Sequence, residues 1–253
     1  MFEIGDRIMF GTFGLRKKKI LAVFVPAAVA FAAAVFCADG GLPAYAAERQ
    51  EKAETRNVEV WEDVRIVERP ISWTDRRDQL AREYSRTHYG SEKTEITPRA
   101  VIVHWTAAGN ATGTYRYFNE EVDSEDGTLQ VSSQFLVDRD GTIFRLTPET
   151  KLNRHAIGYN WCAIGIENVG GVEGKEDLTI AQLTANIRLI RYLHEKYPTI
   201  EYVFGHYQQD AARESGLYRE LVPDYYSSKT DPGPLFMEGL AEALKRDGLK
   251  FFS

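Results

Sequence analysis

Cysteine is nearly absent. The 253 residues carry two, Cys37 and Cys162. If the segment up to Ala46 is removed, as argued below, Cys162 stands alone and no internal disulfide is possible even in an oxidising compartment. Basic residues are also in deficit, with 31 Lys and Arg against 37 Asp and Glu. Loss of residues 1–46 would move the net charge from −6 to −8. That sign lacks the footprint of a nucleic-acid or anionic-membrane surface, so no nucleic-acid partner is expected. No internal repeat or low-complexity tract is visible, and histidines number five.

Hydrophobic residues make up 43% and charged residues 27%, enough for a sizeable core in a globular protein. The first stretch differs from the rest. Arg16 to Lys19 precede an apolar run from Ile20 to Phe36, and Ala44-Tyr45-Ala46 follows. A basic region, an apolar run and a small-residue site make a secretory signal peptide over 1–46. The run is also near the lower limit for a membrane span, so an uncleaved anchor is the other reading. Cleavage predicts an exported protein, periplasmic or extracellular, with no stable membrane insertion. Residues 47–70 read as a flexible leader in which Val58 to Val67 forms a short strand or an extended arm. Residues 71–250 read as one catalytic domain, and a monomer is expected.

Within that domain, Thr74 caps a helix from Trp73 to Tyr84, ended by Tyr89-Gly90. Ala100-Val101-Ile102-Val103 is a continuous apolar run that predicts a buried strand. Ser132 to Val137 and Thr142 to Leu146 flank Asp140-Gly141, a hairpin pattern. Ala163 to Val169 predicts another core strand. Thr179 and Gln182 form a capping-box pair opening a helix to Tyr197, with Ile180, Leu183, Ile187, Ile190 and Leu193 as its buried stripe. Pro198 stops it. Glu201 to Phe204 predicts a last strand, and Phe236 to Lys245 a closing helix burying Phe236, Leu240 and Leu244. Alternating strands and helices give an α/β class: a mixed central sheet flanked by helices on both faces.

Two histidines sit at the ends of predicted core strands, His104 after Val101-Ile102-Val103 and His206 after Tyr202-Val203-Phe204-Gly205. Strand ends in such folds open onto clefts. Asp231, in Lys229-Thr230-Asp231-Pro232-Gly233, adds a carboxylate. Two His and one carboxylate leave a fourth position for water, as in a catalytic zinc site. Taken singly, each also reads as structural, the histidines as core residues and Asp231 as a turn or cap.

The order of V-I-V-H-W-T, I-G-I-E-N, G-H and K-T-D-P-G resembles the type 2 N-acetylmuramoyl-L-alanine amidases. These include peptidoglycan recognition proteins, phage lysozyme-type amidases and anhydro-muropeptide recycling amidases. The resemblance runs from about Ile71 to Lys245. It implies the metal set His104, His206 and Asp231 holding Zn2+, with Glu167 and Lys229 catalytic. Glu167 would move protons between water and the leaving amine, and Lys229 would stabilise an oxyanion. The implied reaction is hydrolysis of the amide between N-acetylmuramic acid and L-alanine, with peptidoglycan or muropeptides as partner. Exported hydrolysis of soluble anhydro-muropeptides and a non-catalytic binding module are the rival readings.

One departure is clear. Where some members carry a catalytic Tyr, this chain has Ser133, which places the proton chemistry on Glu167. His155, in Asn153-Arg154-His155-Ala156-Ile157-Gly158, lies near the family's H-A-G segment and is expected to bind the stem peptide or orient a metal ligand. Thr106, Asn168 and Asn160 are further candidates for substrate contact, while His88, His194 and Cys162 read as structural. The long segment from Tyr207 to Ser228 is expected to form one wall of the substrate groove.

Overall fold

The computed structural model describes residues 58–61 and 64–252; the signal-peptide reading and the start of the leader lie outside them. Seven strands form one sheet in the order β1-β2-β5-β4-β6-β3-β7. They are β1 (Val58–Trp61), β2 (Val64–Glu68), β3 (Ala100–Trp105), β4 (Phe135–Val137), β5 (Ile143–Arg145), β6 (Ala163–Asn168) and β7 (Tyr202–Gly205). The helices are α1 (Asp75–Tyr89), α2 (Ala111–Asn119), α3 (Ile180–Lys196) and α4 (Pro234–Leu244). The β1–β2 and β4–β5 pairs are antiparallel and the others parallel, so the sheet is mixed.

Val58 to Val67 is neither a single strand nor an arm. It forms two strands, and β2 pairs in parallel with β5 from Ile66↔Ile143 to Glu68↔Arg145. Residues 64–68 therefore belong to the sheet rather than to a flexible leader. That pairing joins segments far apart in the chain, which local patterning does not report.

The run Ala100–Trp105 is buried throughout because β3 is paired on both edges, with β6 and β7. Its side chains alternate between two layers. Val101 and Val103 join Ile164, Ile166, Leu189, Ile190, Phe236 and Leu240 under α3 and α4. Ala100 and Ile102 face the other way, toward Tyr159, Phe204, Ala212 and Leu217. The second layer combines connecting segments with α2, whose Ala111 and Phe118 pack with Leu136 and Phe144, so helices lie on both faces of the sheet.

Thr74 caps α1 by accepting from the Arg77 N–H, and Gly90 takes the left-handed conformation at its end. The capping box at Thr179 and Gln182 is present on α3. Its buried face is rotated from the expected stripe: Ile180 is 77% exposed, while Gln182, Ala185, Asn186, Leu189, Ile190, Tyr192 and Leu193 are buried. Gln182 earns this place by donating to the Val137 and Val169 carbonyls at 3.2 and 2.9 Å. Buried polar residues with partners are compatible with a core face, and a stripe chosen by hydrophobicity alone omits them. Phe236, Leu240 and Leu244 on α4 are buried as expected.

Helix α2 was not expected from the sequence. Gly113 and two threonines weaken its local propensity. Asn110 caps it by accepting from the Gly113 N–H at 2.7 Å, and Ala111 and Phe118 bury its inner face. The β4–β5 hairpin turns at Asp140-Gly141, where Gly141 has φ 85°. Ser132 to Gln134, expected to begin this strand, fall outside β4. Ser133 Oγ donates to the Phe135 carbonyl at 2.8 Å, and such local bonds compete with the ladder.

Candidate metal centre

His104 lies near the C-terminal end of β3, and His206 directly follows β7. The β3–β7 register ends at Val103↔Gly205, so the two histidines extend neighbouring strands side by side. Gly205 is needed there, because a Cβ at this position would stand 2.8 Å from Pro232 Cδ. That close approach brings in Asp231, whose carbonyl accepts from the Tyr207 N–H at 2.8 Å.

Three atoms converge. His104 Nδ1 is 3.0 Å from His206 Nδ1 and 3.1 Å from Asp231 Oδ2, and His206 Nδ1 is 3.3 Å from the same oxygen. All three residues are buried. Tetrahedral zinc with bonds of about 2.0 Å sets its ligands roughly 3.3 Å apart, so this triangle has the size a zinc ion needs. The protonation states suit it too. Burial, with the His104 charge second, lowers His206 to about 4, so its imidazole is neutral. Burial alone would raise Asp231, but its contacts with the two histidines hold it far below the usual carboxylate range. A neutral imidazole such as His206 and an ionised carboxylate are forms that bind metal.

Glu167 pairs with His104 in the β3–β6 register and is buried. Its Oε2 has no hydrogen-bond partner among the described residues. Burial raises this carboxyl well above its ordinary value, the Asp231 charge adds to the rise, and Lys229 opposes it. Lys229 is half-buried, two residues before Asp231. The chain thus places a carboxyl with a raised proton affinity and a cation around the three converging atoms.

The substrate candidates differ in burial and in their partners. Asn168 follows Glu167 in β6, and successive side chains of a strand point to opposite faces. It is fully buried toward α3, accepting from Asn186 Nδ2 at 2.7 Å and donating to the His104 carbonyl at 3.0 Å. It ties strand to strand and helix. Asn160 is fully buried as well, its Oδ1 accepting from the His155 and Ala156 N–H groups at 2.9 and 2.7 Å. Thr106 is half-buried, and its hydroxyl closes a local turn with Ala108 at 3.1 Å. His155 is buried with both ring nitrogens engaged inside the protein, at His104 Nε2 and the Ala163 carbonyl. Its ring is thus held directly against His104.

Gly165 and Gln134 were missed. A Cβ at Gly165 would stand 2.9 Å from the His155 ring, and Gln134 Oε1 accepts from the Gly165 N–H at 2.7 Å. A glycine inside a strand pattern marks such close approach and was the available signal. Cys162 is a buried core residue, and His194 Nδ1 lies 3.0 Å from the Ile200 carbonyl. The segment 207–228 is pinned rather than loose. Ala212 and Leu217 are fully buried, Tyr159 donates to the Gln209 carbonyl, and Trp161 Nε1 donates to the Leu217 carbonyl.

Residues 94–234 match a family described as N-acetylmuramoyl-L-alanine amidase. The endolysin of Enterobacteria phage T3 is 31% identical over 109 residues, covering 42% of this chain and 72% of that protein. The endolysin of Escherichia phage T7 is 31% identical over 102 residues, covering 39% and 68%. Among solved structures, the N-acetylmuramoyl-L-alanine amidase LysC from Clostridium intestinale URNW aligns with 24% identity and a TM-score of 0.48, over 73% of this chain and 98% of that one.

Proposed function

Because the chain belongs to the N-acetylmuramoyl-L-alanine amidase family, we propose that it is a zinc hydrolase that cleaves the amide between N-acetylmuramic acid and L-alanine in peptidoglycan. The observation that carries the reading is the convergence of His104 Nδ1, His206 Nδ1 and Asp231 Oδ2 at 3.0 to 3.3 Å, with Glu167 opposite His104. A complete ligand set disfavours a non-catalytic binding module.

Zinc, when bound, makes a water acidic and polarises a carbonyl. The residues of this chain do the remainder. Glu167 takes the proton from the attacking water and delivers it to the leaving amine of L-alanine. Its buried, unpartnered Oε2 supports that role. Lys229 offsets negative charge on the lactyl carbonyl oxygen as the tetrahedral centre forms. Ser133 takes no part, since its hydroxyl is committed to the Phe135 carbonyl. The 207–228 segment, fixed beside His206, forms one wall of the substrate groove. The basic stretch and apolar run at residues 16–36 support export to where peptidoglycan lies.

The test is mass spectrometry of products from purified sacculi, with and without a chelator. Free stem peptides beginning at L-alanine are expected, and the chelator should abolish them. New reducing sugar ends in place of free peptides would overturn the reading.

A further inference from the structure

We infer that His155 is a positioning residue that fixes which nitrogen of His104 faces His206 and Asp231. The inference rests on the metal reading of the site. It begins at a backbone carbonyl. His155 Nε2 lies 3.2 Å from the Ala163 oxygen, which can only accept, so that nitrogen carries a proton. In the neutral ring Nδ1 is then a lone pair, and it lies 3.1 Å from His104 Nε2. His104 Nε2 must therefore be the donor. The lone pair of His104 is left on Nδ1, the atom 3.0 Å from His206 Nδ1 and 3.1 Å from Asp231 Oδ2. The relay from Ala163 through His155 leaves one tautomer of His104 available.

Orientation is set as well as tautomer. The two rings stand nearly perpendicular, at 86° with centroids 5.2 Å apart. Asn160 holds the His155 backbone through the Oδ1 contacts described above, and its Nδ2 donates to the Tyr84 hydroxyl at 3.2 Å. Beneath the ring, Gly165 leaves room for it, since a Cβ there would come within 2.9 Å of His155 Cγ. His206 has no equivalent support: its Nε2 is buried without a hydrogen-bond partner among the described residues. Outer partners of metal-binding imidazoles typically change affinity by about 10- to 100-fold when removed. Here one partner serves the site.

The test measures zinc affinity of the full chain by competition with a chromogenic chelator, together with the 15N shifts of the His104 ring. His155→Phe keeps ring bulk but removes the acceptor. It should weaken zinc binding about 10- to 100-fold and make the His104 tautomer mixed. His155→Gln offers an amide oxygen to His104 Nε2–H and should recover most of the affinity. Gly165→Ala keeps His155 but displaces its ring, and should weaken zinc in the same range. Wild-type affinity in both His155→Phe and Gly165→Ala, with His104 shifts unchanged, would overturn the assignment. Failure of the unaltered protein to take up zinc would instead overturn the metal reading beneath it.

Discussion

His104 and Glu167 stand opposite one another on adjacent parallel strands, on the sheet face turned away from α3 and α4. Neither position is arbitrary. The shared register of β3 and β6 pairs them, and the period of two puts both side chains on the same face. Glu167 is buried there with one oxygen unpartnered among the described residues, an arrangement that costs stability. Such a cost persists where a site uses the group.

Glu167→Gln tests that use. The amide keeps the size of the carboxyl and touches none of the three converging atoms, so zinc content should remain near that of the unaltered protein. It cannot accept and return a proton, so turnover should fall by about 100- to 10,000-fold. Metal analysis beside sacculus-clearing rates checks both. Turnover within a few-fold of the unaltered enzyme would remove Glu167 from the chemistry.

Asn168→Ala separates structure from substrate contact. The substitution leaves the buried Asn186 side chain without one acceptor and the His104 carbonyl without one donor. Stability should drop by about 1–3 kcal/mol, read as a lower melting temperature. KM for muropeptides should not change. A several-fold rise in KM at unchanged stability would return Asn168 to the substrate groove.

The contrast between Glu167 and Asn168 shows where the sequence was legible. The apolar runs, the Asp-Gly hairpin, the Thr179 capping box and the order of the four motifs are local, and each marks an element or residue set found in the fold. The alternation that separates Glu167 from Asn168 was also present, but a list of polar residues near a motif passes over it. Other features have no local trace. The parallel β2–β5 pairing joins residues 64–68 to 143–145. Helix α2 relies on tertiary burial against weak propensity. The role of His155 depends on Asn160, Gly165 and Ala163 converging from a turn and a strand.

Cys162 should be inert in the folded protein. Burial pushes its thiol from 9.0 up to about 12. In a Cys37→Ser variant, an aromatic disulfide reagent should label nothing at pH 8 until denaturant is added, then one thiol per chain. The sign of the linkage follows. The unfolded thiol ionises near 9 and the folded one near 12, so this group's contribution to stability is complete below about pH 9 and declines as pH rises toward 12. Rapid native labelling at pH 8 would contradict the burial.

His88 and Glu220 fix the far end of the 207–228 segment to α1. His88 Nδ1 lies 2.8 Å from Glu220 Oε1, with the two side chains 8% and 3% exposed. Glu220 Oε1 also accepts from the Val222 N–H at 2.9 Å, and the Leu221 N–H donates to the His88 carbonyl at 3.0 Å. The His88 ring is held between Tyr84 and Tyr225, with centroids at 4.1 and 4.4 Å. His88→Ala removes the ring from both aromatics and leaves the buried Glu220 side chain without its imidazole partner. Loss of such a buried hydrogen bond costs about 1–3 kcal/mol. Much of it should appear locally, because His88 and Glu220 hold the end of the segment that lies beyond the buried Ala212 and Leu217. Trypsin should therefore cut after the exposed Arg219 about 10- to 100-fold faster than in the unaltered protein, while zinc content stays the same. An unchanged cleavage rate and melting temperature would show that the segment is held by Ala212 and Leu217 in the core instead.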